Sequence, residues 1–219
     1  MGSVNFGIPK KLVKKIQTTC GINTFIETGT FVGDSAVWAS GIFESVYTIE
    51  AAKKYFSKAK QRLSNFKNVN VRNGKSSDLL PECISSSAPK KLFWLDVHYM
   101  GSSSFDEDFE CPVIEEIQSI PVDSDSWILI DDARYFISQN LPFLRNQTQW
   151  PNIGEIIYEL SKVQKNRLVF IFQDVIISPP RSDLVISGEI IHQEYLQSKR
   201  DLRLLYATLK NFIFDFFDG

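Results

Sequence analysis

Hydrophobic and polar positions along this chain fall into two rhythms that alternate from the N-terminal third onward. Thr24-Phe25-Ile26-Glu27, Ser45-Val46-Tyr47-Thr48-Ile49-Glu50 and Val69-Asn70-Val71-Arg72 are short runs rich in β-branched and aromatic residues. Lys91-Leu92-Phe93-Trp94-Leu95 and Ser126-Trp127-Ile128-Leu129-Ile130 are more apolar still, as strands covered on both faces of a parallel sheet are. Between the runs, apolar residues recur at helical spacing. They predict a helix ending at about Phe43, an amphipathic one over Ala51 to Asn65, a short one around Ser77 to Ile84, and another at Val113-Ile114-Glu115-Glu116-Ile117. Strands that alternate with helices predict right-handed βαβ units, hence an α/β fold with a doubly wound, mostly parallel sheet and helices on both faces.

After Asp132 the pattern loosens. Phe136 to Pro151 is irregular and rich in Asn, Gln and Pro, which fits a loop or short helices over the sheet edge, and Ile153 to Gln164 reads as a helix. Leu168 to Ile177 gives two apolar runs broken at Gln173-Asp174, which predicts an antiparallel hairpin at one edge of the sheet. Pro179-Pro180 ends it, and Leu184 to Phe217 is mostly helical in pattern. That stretch closes on Phe212-Ile213-Phe214-Asp215-Phe216-Phe217, which predicts burial or contact with a second copy, a homodimer. With no repeat and no low-complexity linker, residues 1–219 read as a single domain, with a core over about 22–178 and a C-terminal helical extension over about 183–219.

Composition changes this picture little: 43% hydrophobic and 23% charged residues are ordinary for a globular chain. A net charge of -2 and a pI near 5.8 leave no electrostatic footprint for nucleic acid or an anionic membrane. Lysines 10, 11, 14 and 15, and Lys53, Lys54, Lys58, Lys60 and Arg62, interleave with apolar residues as solvated helix faces do. Cys20, Cys83 and Cys111 are odd in number and scattered, which predicts free thiols in a reducing compartment. With no signal-peptide core and no apolar span of membrane length, the expected location is cytoplasmic.

The candidate chemistry lies where strands stop. Asp96 follows the fourth run, with His98 two residues on, and Asp131-Asp132 follow the fifth. Ligands of open α/β sheets bind beyond the carboxyl ends of the strands. Neighbouring strands lie roughly 5 Å apart, so three carboxylates could converge there on one hard cation. The competing reading is that each Asp caps a following helix or loop. Asp131 and Asp132 are consecutive, so both reach one metal only if the strand has ended by Asp131. Arg134 is placed to neutralise one of them or to hold an anionic substrate group.

Glu27-Thr28-Gly29-Thr30-Phe31-Val32-Gly33 sits where the first strand turns into the first helix after it. Glycine there permits φ > 0 and close approach of the backbone to a ligand. The spacing is not the three-glycine dinucleotide fingerprint, and a carboxylate at Glu27 is unsuited to a pyrophosphate. Glu50, ending the second strand, is placed to accept hydrogen bonds from ribose hydroxyls. Together they favour an adenosine-type ligand without phosphates, against a plain turn and an acid stabilising a helix N-terminus.

Glu27-Thr28-Gly29-Thr30 with Gly33, Glu50 and Asp96 resemble the binding motifs of class I S-adenosylmethionine-dependent methyltransferases, over about Phe25 to Arg134. The resemblance implies a Rossmann-like sheet, a turn that holds the methionine end of the cofactor, and a second-strand acid on the ribose. It implies that Gly74, Lys75 and Ser76 line the adenine pocket. The implied cofactor set is Glu27, Thr28, Gly29, Thr30, Gly33, Ser35, Glu50, Ala51, Gly74, Lys75, Ser76 and Asp96.

Asp96-Val97-His98 with Asp131-Asp132 is similar to a subgroup, the metal-dependent catechol-type and macrolide or aminocoumarin sugar O-methyltransferases. This likeness implies Mg²⁺ on Asp96, Asp131 and Asp132, and a base at position 98, usually Asp in the sugar enzymes and here His98. An imidazole with a pKa near ~6.5 is a competent base at neutral pH, and it also suits a metal ligand or a loop contact. The expected acceptor is a hydroxyl on a sugar or another small polyhydroxylated molecule. A metal-dependent hydrolase built on the same acids and a non-catalytic ligand-binding member of the fold are the other readings. The acidic loop 101–110 fits either a substrate-covering lid or a plain surface loop.

Overall fold

A computed structural model describes residues 7–96, 110–138, 146–197 and 199–200. Its centre is a sheet of β1 (Thr24–Thr28), β2 (Ser45–Glu50), β3 (Val69–Asn73), β4 (Lys91–Leu95), β5 (Trp127–Ile130), β6 (Phe170–Phe172) and β7 (Val175–Ser178). The spatial order is β3-β2-β1-β4-β5-β7-β6. The first five strands run parallel, and β7 pairs antiparallel with both β5 and β6. The chain winds outward from β1 to β3, then returns to the other side of β1 as β4. The switch point, where a crevice opens, is therefore between β1 and β4.

The helices follow from sequence periodicity: α1 (Lys10–Cys20), α2 (Asp34–Ser40), α3 (Lys53–Leu63), α4 (Ser76–Ser85), α5 (Val113–Gln118), α6 (Ala133–Ile137), α7 (Ile153–Val163) and α8, residues 184–197. They form two cores, one on each face of the sheet. Leu12, Val13 and Ile16 of α1, Ala36 and Ala39 of α2, Ala59 and Leu63 of α3 and Ile190 of α8 cover one face. Leu80 of α4, Ile117 of α5, Phe136 of α6 and Ile156 and Leu160 of α7 cover the other. Covered twice, β1, β4 and β5 are buried at every position, which explains their near-continuous apolar runs. The polar residues of β1 are Thr24 at its start and the pair Glu27-Thr28 at its end, and Glu27 is its one ionisable group.

The expected edge hairpin is present: Gln173 and Asp174 take φ of 50° and 66° between β6 and β7, the paired left-handed geometry of a two-residue hairpin turn. Helix α8 bears out the helical reading of the C-terminal stretch as far as residue 197, whereas the Phe212–Phe217 run lies outside the described residues. The stretch after Asp132 opens with the helical turn α6 and includes a 3-10 turn at Gln147–Gln149, in line with the loop or short helices expected there. Five residues are too few to carry a helical period, so tertiary contacts decide α6. Among the described residues, no helix is long and apolar enough to cross a membrane.

Candidate active site

Register brings the strand ends level. Thr28 of β1 pairs with Ile49 and Leu95, Leu95 with Ile130, and Glu50 with Asn73. Gly29, Glu50, Asp96 and Asp131 therefore emerge in one row along the carboxyl edge of the sheet. Adjacent members stand one strand apart, ~4.8 Å in the direction of the ladder.

Glu27 lies within β1, two positions before Gly29, and is the most unusual acid beside this row. It lies in the central strand, 1% exposed, and accepts hydrogen bonds from Thr48 Oγ1 at 2.7 Å and from Ser35 Oγ. Burial pushes its pKa up to about 7, against the lowering effect of the two hydroxyls, and the nearby Glu50 raises it further. Thr48 in turn meets Thr30 Oγ1 at 2.5 Å. Glu27, Ser35, Thr48 and Thr30 thus form one buried network that ties β1, β2, the turn and α2 together. Ser35 and Thr30, expected among the cofactor contacts, serve this network.

The glycine turn is tight and self-satisfied. Gly29 and Gly33 take φ of 82° and 84°, and a Cβ on Gly33 would meet Leu63 Cδ1 of α3 at 3.1 Å. Phe31 also has positive φ, at 50°, a strained position for an aromatic residue. The amides of Gly29 and Thr30 donate to Ile49 O at 2.9 and 3.2 Å, that of Gly33 to Thr30 O at 2.8 Å, and that of Phe31 to Glu50 Oε2 at 2.8 Å. These donors are consumed internally, so the turn lacks the ready amides of a phosphate cradle. The Phe31 ring, 56% exposed, packs on Tyr55 with centroids 4.5 Å apart.

Glu50 closes β2 and accepts from Ala52 N at 2.8 Å through its second oxygen. The helix-terminal reading of Glu50 is therefore realised, since Ala52 is the N-cap of α3. Each carboxylate oxygen has a further lone pair for a ligand. Burial raises the Glu50 pKa, opposed by the amides of Ala52, Phe31 and Ala51. On the β3 side, Gly74 has φ of 154°, and a Cβ there would meet Leu79 Cδ1 at 2.9 Å. Lys75 is exposed and precedes α4, which Ser76, buried, begins.

On the other side of β1, Asp96 N donates to Thr28 O and Thr28 Oγ1, both at 3.3 Å. The Asp96 carboxyl is held well above the ordinary range, first by burial and then by the charges of Asp131, Glu27 and Asp132. Strand β5 has ended by Asp131, which is buried and accepts the amide of Asp132 at 2.8 Å. Asp132 turns the chain with φ of 58°. The geometric condition for both acids to serve one site is thus met. The Asp132 carboxylate, however, lies 2.7 Å from Arg134 Nη2, and Arg134 also pairs with Asp174. Arg134 therefore neutralises acids of its own neighbourhood, as an ion pair within the protein. Among the described residues, no group of three or more His, Cys, Asp or Glu side chains is arranged to hold a metal. His98 and nearly all of the acidic loop lie outside those residues.

Sequence reasoning missed Thr48, Asp174 and Glu116. Asp174 was readable only as a turn residue, yet its carbonyl and carboxylate accept the first amides of α6 from Ala133 and Arg134, at 2.8 and 2.9 Å. Glu116 did carry a signal: with Val113, Ile117 and Ile120 it completes an i, i+3, i+4, i+7 apolar stripe, and all four are buried.

A doubly wound sheet in this order, with one antiparallel strand and a row of acids beside a glycine turn, has the class I methyltransferase fold. Solved structures of that fold superpose on most of the chain. A caffeoyl-CoA O-methyltransferase from Staphylococcus aureus, itself assigned by inference, matches with a TM-score of 0.57 at 14% identity, over 82% of this chain and 86% of its own. The O-methyltransferase TomG from Streptomyces achromogenes, solved with SAM, matches at 0.51 and 12% identity, over 81% and 82%. An SAH-bound methyltransferase from Podospora anserina matches at 0.50 and 14% identity, over 78% and 77%. No protein-family model and no curated protein matches the chain.

Proposed function

We propose that this protein is an S-adenosylmethionine-dependent methyltransferase acting on a hydroxyl of a sugar or another small polyhydroxylated molecule, with Mg²⁺ at the acid cluster. The observation that carries the reading is the glycine turn. Its amides are spent on the protein itself, and it lies between a buried acid, Glu27, and a strand-end acid, Glu50. A phosphate ligand would find the amides of Gly29, Thr30, Phe31 and Gly33 already engaged, with two carboxyls beside them. A cationic nucleoside without phosphates meets a complementary surface. Two of the matched structures carry a nucleoside without phosphates by description, the sulfonium SAM in one and its demethylated product SAH in the other.

When bound, the cofactor supplies an electrophilic methyl group on a sulfonium. Glu50 accepts from the ribose hydroxyls, Gly74, Lys75 and Ser76 border the adenine, and Gly29 and Asp96 flank the methionine end. Thr28, Thr30, Gly33, Ser35 and Ala51 hold these groups in register rather than contacting the ligand through free donors. Catalysis is then mainly alignment of an acceptor oxygen with the methyl carbon and the departing sulfur.

The acids supply the oxygen ligands that a hard cation takes; burial, and after it the charges of Asp131, Glu27 and Asp132, hold Asp96 well above the carboxylate range, and a divalent charge would relieve the latter. Asp96, Asp131 and Asp132 would hold it, with Asp132 shared with Arg134. Mg²⁺ there would lower the pKa of an acceptor hydroxyl. His98, two residues after Asp96, is the proposed base that takes the proton.

Isothermal calorimetry with SAH, with and without Mg²⁺, tests the reading. Binding of both is expected. Mg²⁺ binding alone would turn the assignment to a metal-dependent hydrolase, and SAH binding alone to a metal-free or non-catalytic member. The Phe-rich C-terminal run supports a homodimer, and a light-scattering mass near the 25.0 kDa of one chain would end that part of the proposal.

A further inference from the structure

Helix α5 carries an acid that the proposed reaction does not use. Glu116 is 1% exposed, and the hydroxyls of Ser76 and Thr28 lie within hydrogen-bonding reach of its carboxyl. Burial, outweighing those hydroxyls, pushes its pKa up to about 8, so the group is neutral at pH 7. Its Oε1 has no hydrogen-bond partner among the described residues and is the one buried side-chain atom there in that condition. Folded proteins rarely leave such an acceptor unsatisfied, and a buried orphan points to a ligand or a bound water.

The position decides between the two. Thr28 ends β1 at the switch point, and Ser76 begins α4 directly after the Gly74-Lys75 turn. Glu116 bridges these two places, between the cofactor turn and the segment proposed to border the base. Asn73, Gly74, Lys75 and Ser76 themselves carry no acid. Adenine presents one donor on its base-pairing edge, the exocyclic amino group. Above about pH 8 the ionised carboxylate is an acceptor only, with Oε1 holding its open lone pairs, so the ligands are compared at pH 9.

We propose that Glu116 is the specificity-determining residue for the purine base, its Oε1 accepting a hydrogen bond from the exocyclic amino group of adenine. The proposal rests on the cofactor reading above. Glu116 thereby separates adenosine ligands from inosine ligands, which present a carbonyl oxygen at the same place and would set acceptor against acceptor.

The test compares SAH with S-inosylhomocysteine by calorimetry on the parent protein, Glu116→Gln and Glu116→Leu, with ligand-free melting curves to establish that each variant is folded. The parent is expected to prefer SAH by at least about tenfold, the scale of an unmatched buried polar pair. Glu116→Gln can turn either its oxygen or its amide toward the base. It should keep SAH binding and narrow the preference by about tenfold through better binding of the inosine ligand. Glu116→Leu should lose both the preference and most of the SAH affinity; if it fails to fold, the isosteric Glu116→Gln decides alone. A preference for SAH that stays unchanged in Glu116→Gln overturns the proposal and leaves Glu116 holding a water or serving packing alone. A parent protein that binds SAH with no preference overturns it as well, leaving the cofactor reading intact. A parent that binds neither ligand overturns both readings.

Discussion

Glu50 accepts two backbone amides before any ligand arrives, so its substitution tests the turn and the ligand site together. Glu50→Ala should weaken SAH binding by the 1.5–3 kcal/mol typical of a charge-assisted hydrogen bond, roughly 10–100-fold by calorimetry. Unchanged affinity would remove Glu50 from the site. Asp131 and His98 should fail in different ways. Asp131→Ala should abolish Mg²⁺-dependent turnover, with poor rescue by excess metal. His98→Asn should keep Mg²⁺ and SAH binding while turnover falls by about 10²–10⁴, the scale of a general base. The parent rate should rise with pH through the histidine pKa, and that limb should vanish in His98→Asn. Loss of Mg²⁺ binding in His98→Asn would make the imidazole a metal ligand instead.

Elements in this fold are closed both by groups from elsewhere in the chain and by their own residues. α6 begins at a left-handed Asp132 and receives its first acceptors from Asp174 in the β6–β7 turn, 40 residues on. α7 is the contrary case, capped from within: Asn152 accepts from Gly154 N at 2.8 Å and Glu155 N at 3.1 Å, and Glu155 returns a bond to Asn152 N. Asn152→Ala should therefore cost about 1 kcal/mol, read as a lower urea midpoint with unchanged slope. A steeper or shallower slope would mean that more than the cap was lost. The α7 cap was legible as a local pattern. The α6 cap was not, because nothing in Asp132 to Ile137 records that Asp174 will stand beside it.

Taken across the whole molecule, burial of acids at the crevice makes stability depend on pH in one direction. Glu27 and Glu116 have folded pKa values of about 7 and about 8, both above the ordinary glutamate value, because burial disfavours their charge. Such groups bind protons more tightly when folded. Their contribution is complete below about pH 4.5 and is lost as pH rises through about 7 and then about 8. Each pKa unit corresponds to roughly 1.4 kcal/mol, so the loss should reach a few kcal/mol. The melting temperature should fall between about pH 4.5 and pH 8 on this account and level off above it, and Glu27→Gln should flatten the part of the decline below about pH 7. A melting temperature flat across that range in the parent would refute the burial argument.

The strands, most helices, the edge hairpin, and Glu27 with the row of Gly29, Glu50, Asp96 and Asp131 were legible in the sequence. The reason is physical: a doubly covered parallel sheet demands unbroken apolar runs, and polar residues can follow only where a run stops. Burial is a one-dimensional signal there. What only the tertiary structure decided is which partners those acids meet. Thr48 and Ser35 on Glu27, Arg134 between Asp132 and Asp174, and Glu116 beside Thr28 and Ser76 all join residues from different elements. A carboxylate reads the same in sequence whether it faces solvent, a guanidinium or a ligand. Its charge state, and hence its chemistry, is set by the strand register and helix packing that bring those neighbours within a few ångströms.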